Sequence, residues 1–250
     1  MTKKVLKQGA GRKPRVKKKA SRASSRQELN LLMRSAVFTN WAKSRERQIW
    51  YLPAKPAGRV ARHSRSRQEH VGEHSWQLAM MAWIAIEAFN LPLDVHKAIK
   101  YALVHDAGSE WYSGDTPAFR KNGNGCAEVS CRNKKAELEK QSRERLRRGV
   151  GSNLPFIMKH IDDYDAGVDD EAWFVNALDK LLADINILQD SGYTNKKLGA
   201  DLPTVDLYKR TRTERHPRVL AWYKELFAIW IRNETKLFPT RRKTTQGAVS

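Results

Sequence analysis

The chain has 250 residues, of which 47 are lysine or arginine and 27 aspartate or glutamate, for a formal net charge of +20. Its 40% hydrophobic content supports one packed body close to the size limit of a single core, and the charge predicts salt-dependent attraction to polyanions. The longest apolar segment, around residues 76–89, is shorter than the roughly 20 residues a bilayer span needs and contains Gln77 and Glu87, which excludes it as a membrane-spanning helix.

Every charged residue from Lys3 to Arg26 is basic, and Glu28 is the first acidic one. With Gly9, Gly11 and Pro14 in that stretch and almost nothing apolar to bury, residues 1–27 are expected to form a disordered tail, either a solubilising segment or a docking arm for nucleic acid. No apolar region follows it, so it does not read as a secretory signal, and a soluble cytoplasmic protein is expected. Period-two runs bounded by turn residues are not found, which points to an all-α fold. Helices are expected near residues 26–49, 75–89, 93–105, 134–148, 154–162, 170–189 and 216–237, packed as a helical bundle over residues 28–237. Eight tryptophans help to fill it. Residues 209–218 read as a second basic patch, and residues 238–250 as a flexible basic end.

Between the first two helices, Arg59, Arg62, Arg65 and Arg67 precede His74, and any of them could turn inward. His74 opens the run from Ser75 to Ile86, which is apolar nearly all round and therefore belongs in the middle of a core. His105-Asp106 closes a second stretch in which Val95, Ile99, Ala102 and Leu103 recur at helical spacing. Asp179 lies on a third apolar helix with Val175 and Leu182 one turn to either side, where a carboxylate requires a partner or a metal. Taken together, His74, His105, Asp106 and Asp179 read as the ligand set of one divalent ion, because neutral imidazoles and ionised carboxylates are what a hard or borderline cation takes. Each also has an ordinary alternative: His74 as a capping or core residue, Asp179 as the partner of Lys180 or an arginine. Asp184 is a rival ligand, but five residues of helix rotate it by about 140° from Asp179. Glu110, four residues after Asp106, lies about one helical turn farther on and suits general acid–base work. Cys126 and Cys131 supply too few ligands for a zinc site.

The runs Arg67-Gln68-Glu69-His70-Val71-Gly72-Glu73-His74-Ser75, His105-Asp106-Ala107-Gly108-Ser109-Glu110, Gly114-Asp115-Thr116-Pro117 and Leu178-Asp179 resemble the successive motifs of HD-domain phosphohydrolases, and among them those of the 5'-deoxynucleotidase branch. The resemblance covers roughly residues 59–188. It implies an all-helical HD-domain bundle in which His74, His105, Asp106 and Asp179 hold one Mn, Co or Mg ion. It also implies Glu110 as the residue that handles the attacking water or the leaving oxygen, Arg59 as the phosphate-gripping arginine, and Asp115 and Thr116 in the loop over the nucleotide. The implied reaction removes phosphate from a (deoxy)nucleoside monophosphate by attack of a metal-bound water. Two positions depart from the pattern. Glu110 stands one residue farther from Asp106 than in the family, and Val60 replaces a tryptophan that helps select deoxyribose, so weak discrimination between ribo and deoxyribo substrates is expected.

Two further readings take account of the charge: a dNTP phosphohydrolase or nucleic-acid phosphodiesterase with the same metal site, and a basic nucleic-acid-binding protein with a silent HD scaffold. A full ligand set at apolar positions argues against the silent scaffold. A homodimer is compatible with the sequence, which does not set the oligomeric state. Deleting residues 1–27 is expected to leave hydrolysis of a small nucleotide intact while weakening nucleic-acid binding and flattening its salt dependence. Filter binding at two salt concentrations, run beside a phosphate-release assay, checks both.

Overall fold

A computed structural model of the chain describes residues 25–43, 45–51, 67–108 and 129–239. Arg59, Glu110, Asp115, Thr116 and Cys126 lie outside the described residues, as do residues 1–24 and 240–250 of the expected tails. The elements in chain order are α1 (Ser25–Trp41), β1 (Glu46–Tyr51), β2 (Arg67–His70), α2 (Val71–Ala88), α3 (Val95–Val104), α4 (Val129–Arg148), a 3-10 turn (Val150–Asn153), α5 (Pro155–Ala166), α6 (Asp170–Gln189), α7 (Tyr193–Leu198), α8 (Leu202–Thr213), α9 (Pro217–Arg232) and α10 (Glu234–Leu237). Among the described residues no helix is long and apolar enough to cross a membrane.

Among the described residues the fold is all-α apart from one antiparallel ribbon. Strands β1 and β2 pair Glu46 with His70 and Tyr51 with Arg67, with an irregularity between Glu46 and Trp50. This corrects the expected helix over residues 26–49, which ends at Trp41. A run ending in Ile49, Trp50 and Tyr51 favours a pleated surface, but its partner β2 comes from across a loop, so helical periodicity alone could not reveal it. Helices α7 and α8 were also not expected. Asp201 starts α8 by accepting a hydrogen bond from the Thr204 N–H at 3.0 Å, an ordinary N-cap. Lys209 on that helix is buried, so residues 209–218 do not form one solvated basic face.

The core centres on α6. Its Phe174, Val175, Leu178, Leu181 and Leu182 pack with Leu78 and Ala82 of α2, Tyr101 and Ala102 of α3, Val205 of α8, and Val219 and Tyr223 of α9. A smaller cluster of Val104, Leu146, Leu154, Met158 and Ile161 joins the end of α3 to α4 and α5. Phe238 packs on Trp230 with ring centroids 5.3 Å apart, so buried structure continues past residue 237. Polar ties set the register of α3 against α6. The Asp169 carboxylate caps α6 through the Ala172 N–H at 2.9 Å, accepts the Tyr101 hydroxyl at 2.9 Å and pairs with Lys97 at 2.8 Å. Glu171 in turn accepts the Asp94 N–H at 2.9 Å. These contacts hold the helix that delivers His105 against the helix that carries Asp179.

Gly192, between α6 and α7, has φ +74° and packs so tightly that an added Cβ would overlap the Leu237 backbone. A side chain there is strained twice, by conformation and by contact. Gly192→Ala should destabilise the fold by about 1–3 kcal/mol, measured as a lower urea midpoint with an unchanged slope.

Candidate metal centre

The start of α2 is built to hold His74 in place. The Glu73 carboxylate accepts the His70 N–H at 3.0 Å and a two-pronged contact from Arg67 at 2.8 and 2.6 Å. Chiefly through Arg67, its pKa is pushed down to about 2. Behind it, the Val71 and Gly72 N–H groups donate to the Arg45 and Ala42 carbonyls, each at 2.9 Å. Gly72 permits this approach, since a Cβ there would sit 3.2 Å from the Ala42 oxygen. The helix is thereby pinned to the turn before β1, and its next residue, His74, points into the core with no exposed surface.

His74, His105 and Asp106 bring donor atoms within 4.8 Å of one another. Asp179 Oδ1 lies 2.9 Å from His74 Nε2 and 4.0 Å from His105 Nε2, and Asp106 Oδ2 lies 3.0 Å from His105 Nε2. The two rings are tilted by 55° with centroids 5.2 Å apart. His105 Nδ1 is 2.9 Å from the Ala102 carbonyl. A carbonyl only accepts, so Nδ1 carries a proton there, and Nε2 is directed at two carboxylates. That buried nitrogen makes no hydrogen bond of its own, and a cation between it and the two carboxylates would join all three. Two imidazoles and two carboxylate oxygens suit Mn, Fe, Co or Zn, so the residues present fit a divalent metal.

Other groups complete the electrostatics. Arg47 of β1, buried, sets its guanidinium 3.7 Å from Asp106, 3.9 Å from Asp179 and 3.9 Å from Glu69. Glu69 of β2 lies 3.5 Å from His74 Nδ1. Burial opposes ionisation of Asp106, but His105 and Arg47 outweigh it and hold the carboxyl well below the usual range. Burial acts against Asp179 in the same way and is overcome by Lys180, His74 and His105. For His74, burial and Arg47 disfavour the charged form, yet the contacts to Asp179 and Glu69 prevail and raise its pKa. Asp184 has a different partner, Lys209 on α8 at 3.0 Å, and burial pushes its pKa up to about 6. It is thus accounted for outside the His–Asp cluster, as its rotation along α6 suggests.

A family model described as the HD domain matches residues 55–220. The chain belongs to the HD-domain family. The protein is similar in fold to a crystal structure of a predicted metal-dependent phosphohydrolase from Magnetospirillum magnetotacticum. The two share 24% identity over 84% of this chain and 96% of that one, with a TM-score of 0.63. A conserved hypothetical protein from Pyrococcus furiosus matches at 21% identity over 66% of this chain and 85% of that one, with a TM-score of 0.44. No curated protein matches the chain.

In this HD-domain chain, sequence reasoning named the four clustered residues and missed Arg47 and Glu69. Arg47 falls where a helix was expected, which hid its approach to the site. Glu69 stands in the same run as His74, and its position five residues earlier was the available signal. Mn(II) at 100 times its dissociation constant should stabilise the protein by about 2.7 kcal/mol, measured as a higher Tm. Asp106→Asn or Asp179→Asn should abolish that increase. Since a proton competes with the metal at His74, whose pKa is raised, the increase should shrink as the pH falls.

Proposed function

We propose that this HD-domain protein is a metal-dependent phosphohydrolase that removes the 5'-phosphate from nucleoside and deoxynucleoside monophosphates. The observation that carries this reading is the convergence of His74, His105, Asp106 and Asp179, from α2, the end of α3 and α6, beside the buried Arg47. The Magnetospirillum protein of similar fold, a predicted metal-dependent phosphohydrolase, supports the reaction class. The nucleotide substrate rests on the motif resemblance.

His74, His105, Asp106 and Asp179 would hold the ion. A divalent cation bound there supplies Lewis-acid chemistry, lowering the pKa of water and neutralising charge on phosphoryl oxygens. Arg47 can offer N–H donors to a phosphate bound at the ion, a role it shares with the sequence candidate Arg59. Glu110 takes the proton of the attacking water and returns it to the leaving 5'-oxygen as the P–O bond breaks. Asp115 and Thr116 contact the nucleoside. Glu69 holds the His74 ring in orientation, as a carboxylate behind a metal-bound imidazole does.

Phosphate release from a panel of ribo and deoxyribo mono- and triphosphates and a short oligonucleotide tests the assignment. Monophosphates of both sugars should turn over at comparable rates with added Mn(II), and chelation should stop the reaction. Arg47→Ala and Arg59→Ala should mainly raise KM, while Glu110→Gln should lower kcat by about 100-fold or more. Faster hydrolysis of triphosphates or of the oligonucleotide would overturn the substrate class, and release that is indifferent to metal would overturn the mechanism.

A further inference from the structure

The two oxygens of Asp179 face two different cationic environments. Its side chain is 2% exposed. Oδ1 faces His74 Nε2 at 2.9 Å, Arg47 at 3.9 Å and His105 Nε2 at 4.0 Å. Oδ2 is taken by the Lys180 ammonium at 2.5 Å. Lys180 is no surface lysine swung across by chance. Its side chain is only 25% exposed, and its carbonyl accepts the Lys209 ammonium at 3.1 Å, which is itself locked to the buried Asp184 at 3.0 Å. A buried ion pair between α6 and α8 thus anchors the backbone from which Lys180 reaches Asp179.

We propose that Lys180 is a positioning residue that divides the Asp179 carboxylate, reserving Oδ2 for its own ammonium and leaving Oδ1 alone for the metal, so that the centre selects a small divalent ion over calcium. The inference rests on the metal-centre reading above. A carboxylate held by one oxygen cannot turn both toward an ion. Single-oxygen binding suits an ion that takes six ligands at short distances and leaves positions for water and phosphate. Calcium favours more ligands, among them carboxylates that bind through both oxygens. Removing the ammonium frees Asp179 to turn its second oxygen to the ion as well, which favours the larger ion.

The test is isothermal titration of the full-length protein with Mn(II) and with Ca(II), together with the visible spectrum of the Co(II)-loaded protein. Circular dichroism monitors folding. In Lys180→Met the Ca(II)-to-Mn(II) affinity ratio should rise about tenfold or more, and the Co(II) bands should weaken as the coordination number increases. Lys180→Arg, which keeps a cationic donor, should retain the parent ratio and spectrum. If the methionine variant does not fold, Lys180→Ser, which admits water beside Asp179, should show the same rise. A merely structural lysine would lower both affinities together and leave their ratio unchanged. An unchanged ratio and Co(II) spectrum in the neutral variants, or an arginine variant displaced as far as they are, would overturn the inference while leaving the metal centre standing. A parent protein that binds neither ion would overturn both.

Discussion

The structure depends on keeping a negative charge inside a helical core. Asp179 sits midway along α6, 2% exposed, among Val175, Leu178 and Leu182, where an isolated carboxylate would be prohibitively unstable. It is tolerated because cations and polar hydrogens reach it from four elements: His74 from α2, Arg47 from β1, His105 at the end of α3, and Lys180 on α6 itself. With Asp106 and Glu69 close by, the cluster gathers three carboxylates around these groups. Such sites trade stability for function.

That requirement explains the one piece of β-structure among the described residues. The β1–β2 ribbon is short, but it delivers Arg47 from one strand and Glu69 from the other, both buried, to the same cluster. An arginine on a mobile loop would lose much rotamer freedom in reaching so enclosed a point. On a paired strand pinned to the first turn of α2, part of that ordering is already met. The Asp169 contacts between α3 and α6 serve the same end from the other side, because a small slip between those helices would separate His105 from Asp179.

Charge is distributed unevenly along the chain. On the helical body many basic side chains have acidic neighbours: Arg143 with Asp165, Arg147 with Asp162, Arg148 with Glu144, Arg210 with Asp206. Exposed pairs of this kind contribute little to stability, but they cancel field locally. The stretch from Lys3 to Arg26 has no acidic residue to do so. Net positive charge is therefore concentrated chiefly in sequence outside the helical body.

The helices that carry the site were legible because their periodicity is strong: α6 matches its expected span of 170–189, and α2 and α3 fall within a few residues of theirs. The four clustered residues were legible too, because a histidine or aspartate at an apolar helical position is anomalous in a single sequence. Arg47 and Glu69 were not. Arginine and glutamate are ordinary in a polar segment, and only the pairing of β1 with β2, a contact between residues distant in sequence, turns them inward. The same holds for Lys180, which local sequence offers merely as one partner for Asp179, and for Lys209, which looked like part of a basic face until Asp184 was seen to draw it into the core. Sequence by itself determined the all-α class and which residues could ligate, since both follow from local periodicity and side-chain chemistry. Tertiary structure alone decided which charges compensate which, because that depends on distances between elements that no local pattern encodes.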